Sequence, residues 1–177
     1  MMVSFGAGVL VDGWLRTDGP PTPPQATEGP VAVRRLPLRL PIDGISIESL
    51  KGDFSERRGK RPHEAVDIMA PRGTPVRAVD EGTIAKLLLS KDGGITIYQF
   101  GRDGRLCYYY AHLDRYADGL HEGQVVSQGD VLGAVGTTGN APPGAPHLHF
   151  AIFELNADRQ WWQGRSLDPY RVFSAPP

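Results

Sequence analysis

The chain has 177 residues, 22% of them charged, and a formal net charge of −1, a size and balance suited to one globular domain with a substantial core. That balance supplies no basic footprint, so no nucleic-acid partner is expected. The single cysteine, Cys107, excludes an internal disulfide, and its place in the apolar run L-C-Y-Y-Y predicts burial.

At the amino end, V-S-F-G-A-G-V-L-V has no preceding Lys or Arg and is broken at Asp12, too short a run to span a bilayer. It is followed by D-G-P-P-T-P-P-Q-A-T-E-G-P, whose proline content and lack of a core pattern predict an extended linker. Residues 1–35 are therefore read as an apolar leader and proline-rich linker, either poorly ordered or the remnant of a truncated anchor, and 36–177 as the folded domain. The basic run Arg57, Arg58, Lys60 and Arg61 is expected to form a solvated loop.

His63 and Asp67 come next, four residues apart, a spacing that brings side chains together on either a helix or a strand. Pro62 and Pro71 decide against the helix, because proline removes an amide donor and restricts its predecessor, leaving too little room for stable turns. Residues 83–90 and 95–100 flank K-D-G-G, and 105–112 follow G-R-D-G. Such connections between β-branched and aromatic runs predict a three-strand meander ending at His112, with one helical turn over 113–117. Val125-Val126, Val131-Leu132 and Ala134-Val135 read as short strands between tight turns. G-T-T-G-N-A-P-P-G-A-P supplies flexible backbone for a groove wall. It is not a phosphate loop, since no Lys-Ser/Thr follows it. The last strand, 147–154, puts His147 and His149 on one face with α-carbons roughly 6.5 Å apart, and Leu148, Phe150 and Ile152 on the other. Trp161 and Trp162 are expected to pack a loop onto the core. The fold class is all-β, an antiparallel sheet or sandwich with little helix.

Four of the five histidines and one carboxylate thus fall in three short segments. A catalytic zinc site takes three protein ligands and keeps one position open, so this set supplies the metal and leaves two histidines for proton transfer. Spacing alone does not choose between His147 and His149 as a ligand. His121, in D-G-L-H-E-G, has no partner pattern and is read as structural. A zincin-like reading of His63-Glu64, with Glu64 as the base, is opposed by the prolines.

From about residue 36 to residue 173 the chain resembles the M23-type zinc metallopeptidases, the lysostaphin or LytM-like peptidoglycan endopeptidases. The resemblance rests on His63-x-x-x-Asp67, A-P-x-G-T-P-V, Tyr110-Ala111-His112-Leu113, G-T-T-G-N, His147-Leu148-His149-Phe150 and Asp168-Pro169-Tyr170. It implies a LytM-like β core and one zinc ion per chain bound by His63, Asp67 and His149. His112 and His147 are then catalytic, His112 as the base and His147 orienting water or stabilising the oxyanion. The implied reaction is hydrolysis of peptide bonds in peptidoglycan stem peptides or cross-links through a metal-activated water. The alternatives are a LytM-like zinc-binding module regulating other wall hydrolases, or a zinc peptidase acting on protein substrates. The resemblance also implies a bacterial envelope location, whether periplasmic, secreted or tethered through a missing amino-terminal segment. One departure is Ala65, where the family commonly has glycine.

Overall fold

The computed structural model of the protein describes residues 38–51, 54–58 and 61–174. The expectations for residues 1–35 lie outside these. Eleven strands run through the described chain: β1 (Arg57–Arg58), β2 (Arg61–Pro62), β3 (Val66–Met69), β4 (Pro75–Arg77), β5 (Gly82–Ser90), β6 (Gly94–Gly101), β7 (Leu106–Tyr116), β8 (Val125–Val126), β9 (Val131–Val135), β10 (His147–Leu155) and β11 (Gly164–Leu167). The helix described is one 3-10 turn, Ile47–Leu50, and α1, Pro169–Ser174. The all-β expectation with little helix holds.

β1 and β2 pair antiparallel as a separate ribbon leading into His63, so the described residues of the expected basic loop are strand. The other strands form one sheet of nine, with order β11-β10-β7-β6-β5-β8 along its main path. β3 adds to β10, and β9 joins β4 to β7, every pairing antiparallel. The expected meander is β5-β6-β7.

β7 does not stop at His112. It continues through Tyr116, exchanging β10 for β9 on one side, with Leu113 opposite Val135 and Tyr116 opposite Gly133, while Leu113 still faces Ile95 of β6 on the other. The expected helical turn over 113–117 is therefore wrong, because this segment finds its backbone hydrogen bonds across the sheet. β11 and α1 carried weak sequence signals: G-R-S-L has little apolar alternation, and α1 has only six residues opening on a proline.

Alternation along the strands gives the sheet two unlike faces. On one, Leu148, Phe150 and Ile152 are fully buried with Tyr108, Tyr110, Val66 and Ile97 in the main core. Polar groups within that core are paired. Tyr110 Oη donates to Gln99 Oε1 at 2.8 Å and accepts from the Val79 N–H at 3.1 Å, and Tyr108 Oη donates to Asp80 Oδ2 at 3.2 Å. On the other face, cross-strand partners change character along β10. His149 faces Ala111, Ala151 faces Tyr109, and Phe153 faces Cys107. Cys107, Phe100 and Ala85 centre a smaller apolar cluster with Tyr98 and Trp161 packed on it. This cluster anchors the sheet beside the histidines.

Candidate metal centre

β10 inserts its first half between β3 and β7, with His149 directly opposite Asp67 on one side and Ala111 on the other. His63 enters from the loop before β3, where its N–H donates to the Glu56 carbonyl at 2.8 Å and the Glu64 N–H donates to the Phe54 carbonyl at 3.0 Å. No helix forms there, which removes the zincin-like geometry. Glu64 takes the left-handed conformation, φ 55°, whereas Ala65 is not among the positive-φ residues. The Ala65 methyl is therefore free of that backbone strain, and it is buried.

Three donor atoms converge. His63 Nε2 lies 3.1 Å from His149 Nδ1, His149 Nδ1 lies 3.0 Å from Asp67 Oδ1, and His63 Nε2 lies 3.3 Å from Asp67 Oδ1. A tetrahedral zinc with bonds of about 2.0–2.1 Å sets its donors about 3.3 Å apart, so two imidazole nitrogens and one carboxylate oxygen in this triangle fit that ion. The His147 Nε2 stands farther from the same oxygen, at 3.8 Å. Geometry thus separates the two histidines that spacing leaves equivalent. The side chain of His63 is 2% exposed and that of His149 is 19% exposed, so the centre is approachable from the His149 side.

The remaining two histidines form a second pair beside the triangle. The rings of His112 and His147 are 4.9 Å apart between centroids, and His112 lies 5.6 Å from the His149 ring. Each is oriented by a backbone carbonyl, His112 Nδ1 by Thr138 O at 2.9 Å and His147 Nδ1 by Ala145 O at 2.8 Å. Because a carbonyl only accepts, both Nδ1 atoms carry the proton and both Nε2 atoms keep the lone pair. Burial lowers the pKa of His112 below its ordinary value, and a positive charge on His149 or His147 pushes the same way. The Thr138 carbonyl opposes them. His112 also has a left-handed backbone, φ 59°, a conformation that costs a non-glycine residue of order 1–3 kcal/mol and persists where surroundings over-determine it.

Residues expected to be structural sit elsewhere. His121 is exposed and its Nδ1 donates to the carbonyl of Glu122. Trp161 packs on Tyr98 with centroids 4.6 Å apart, while Trp162 is 55% exposed. The carbonyls of Thr138 and Ala145 were not singled out from the sequence, since main-chain acceptors leave no residue-type signal.

A β-sheet that brings a His/Asp/His donor triangle beside two oriented histidines is a scaffold of the metallopeptidase class. The chain belongs to peptidase family M23, whose model matches residues 61–169. It is 37% identical over 142 residues to the L-Ala–D-Glu endopeptidase of Bacillus subtilis (strain 168), covering 76% of this chain and 41% of that protein. It is 37% identical over 89 residues to lysostaphin of Staphylococcus simulans, covering 50% of this chain and 17% of that protein. The chain therefore spans less than half the length of these curated relatives. Among solved structures, the catalytic domain of lysostaphin from Staphylococcus simulans superposes with a TM-score of 0.60 at 26% identity, covering 73% of this chain and 98% of that one.

Proposed function

We propose that this chain is a zinc-dependent endopeptidase that hydrolyses peptide bonds in peptidoglycan stem peptides or cross-links. The observation that carries the reading is the convergence of His63 Nε2, Asp67 Oδ1 and His149 Nδ1 beside His112 and His147. The substrate class follows the names of two relatives, an L-Ala–D-Glu endopeptidase and a peptidoglycan DD-endopeptidase.

One zinc ion per chain would be held by His63, Asp67 and His149. When bound there, zinc supplies a Lewis acid and lowers the pKa of water from about 15.7 towards 7. His112 takes a proton at Nε2, because its Nδ1–H is committed to the Thr138 carbonyl, and it returns that proton to the leaving amine. His147, tied at Nδ1 to Ala145 O, presents Nε2 towards the same space and orients the water or stabilises the oxyanion. With all five motif positions kept and brought together, hydrolysis is favoured over a purely regulatory module.

Peptidoglycan lies outside the cytoplasm, so the protein is assigned to the bacterial envelope, secreted or tethered through a segment preceding the domain. Among the described residues no helix is long and apolar enough to cross a membrane. Fractionation of the host tests the location, a purely cytosolic protein counting against it.

The function is tested by mass spectrometry of purified sacculi incubated with the zinc-loaded protein, a chelated control and His112→Ala. New peptide ends are expected from the intact zinc form alone, and their masses identify the bond. Intact sacculi beside cleaved protein substrates would replace the reading with a general peptidase.

A further inference from the structure

We infer that Thr138 is a positioning residue for catalysis, its hydroxyl locking the carbonyl that orients His112. The inference rests on the reading of His112 as the general base.

Thr138 lies in the loop between β9 and β10, and its hydroxyl makes two hydrogen bonds to other elements. Oγ1 accepts from the Ile95 N–H at 3.0 Å and donates to the Leu113 carbonyl at 2.7 Å. It thereby ties the start of β6 to β7 one residue beyond His112. The same residue's carbonyl accepts from His112 Nδ1 at 2.9 Å. The backbone N–H of His112 is fixed from the other side, donating to Gly93 O at 2.8 Å.

The two loops that grip His112 are also locked to each other. Asn140 N–H donates to the Asp92 carbonyl at 2.8 Å. A Cβ on Gly94, which has φ +66°, would fall 2.2 Å from Thr138 Oγ1, and one on Gly139 would fall 2.2 Å from Asp92 O. Two glycines thus bring the β5–β6 turn against the Thr138 loop closely enough for the hydroxyl to bridge them. The left-handed backbone of His112 is held by this surround, as a strained conformation requires. Losing the hydroxyl frees the Thr138 carbonyl to drift, and the imidazole loses the contact that fixes both its tautomer and its ring angle.

The test compares Thr138→Val, which keeps the shape and removes the hydroxyl, with Thr138→Ser, which keeps the hydroxyl. Thr138→Ala substitutes if the valine variant does not fold. Turnover of a soluble stem-peptide substrate, zinc content and the His112 tautomer by nitrogen-15 NMR are read together. The expected result is a fall in kcat of about 10–100-fold for valine, the size of effect that losing an outer-shell hydrogen-bond partner has in metal sites. KM and bound zinc should stay unchanged, the His112 Nδ1–H signal should weaken, and serine should restore kcat to within about threefold. The inference is overturned if the valine or alanine variant keeps wild-type kcat, or if serine falls as far as valine with the tautomer unmoved. A His112→Ala protein of wild-type activity would instead overturn the base assignment, whatever Thr138 does.

Discussion

Asp67 and His149 face each other directly across the β3–β10 ladder, Oδ1 to Nδ1 3.0 Å apart. Backbone register alone therefore supplies two of the three proposed ligands, and only His63 depends on a loop. A one-residue slip of β3 would turn Asp67 into the core and Ile68 out to the metal face. The burial of Val66 and Ile68 opposes that slip.

Removing either member of this pair should remove the metal. Asp67→Ala and His149→Ala are expected to lower zinc affinity by more than the about 10–100-fold typical of outer-shell losses. Competition with a chromogenic chelator measures it. Near-normal affinity in either variant would contradict the ligand assignment.

His112→Ala should behave differently. With the donor triangle untouched, zinc should bind as in the parent while kcat falls about 10²–10⁴-fold, the usual contribution of a positioned proton-transfer group. Steady-state kinetics with metal analysis separates this from ligand loss.

The pH dependence follows from the lowered pKa of His112. A base must be neutral, so a lowered pKa keeps it competent below the ordinary histidine value of about 6.5. The acid limb of kcat/KM is expected below that pH. The linkage to stability has the matching sign. The unfolded state binds more protons between the folded pKa and about 6.5, so this contribution is complete above that window and is lost as pH falls through it. An acid limb above pH 7 would contradict the assignment.

Tyr110→Phe should destabilise without touching turnover. It removes the hydroxyl shared by Gln99 Oε1 and the Val79 N–H in the main core, at a cost of about 1–3 kcal/mol for polar groups stripped of a buried partner. Denaturant unfolding measures the loss, and kcat should match the parent because the ring lies on the face away from the histidines.

Cys107 is buried, and burial pushes its thiol far above the ordinary range. It should resist thiol reagents in the native protein and react on unfolding, as mass spectrometry of alkylated protein would show.

Much of this was legible in the sequence because strand alternation is a strong signal. Histidines at 147 and 149 with Leu148, Phe150 and Ile152 between and after them specify one functional face and one core face, and all three apolar residues are fully buried. The proposed choice of His149 over His147 as a ligand is not legible from spacing. It depends on the register of β3, which two prolines and a short apolar run do not reveal. The extension of β7 past His112 is hidden from the sequence for a related reason. Its partner β9 lies some twenty residues later in the chain, and local propensity carries no information about that pairing. The carbonyls orienting His112 and His147 are main-chain atoms that any residue supplies.

The most direct test of the proposed metal centre is to titrate zinc into chelator-stripped protein while counting new peptide ends released from purified sacculi. No cleavage is expected without metal, then a linear rise and a plateau at one zinc per chain that His63→Ala, Asp67→Ala and His149→Ala each abolish. Cleavage by the stripped protein, or a full plateau in those three variants, would contradict the proposed centre.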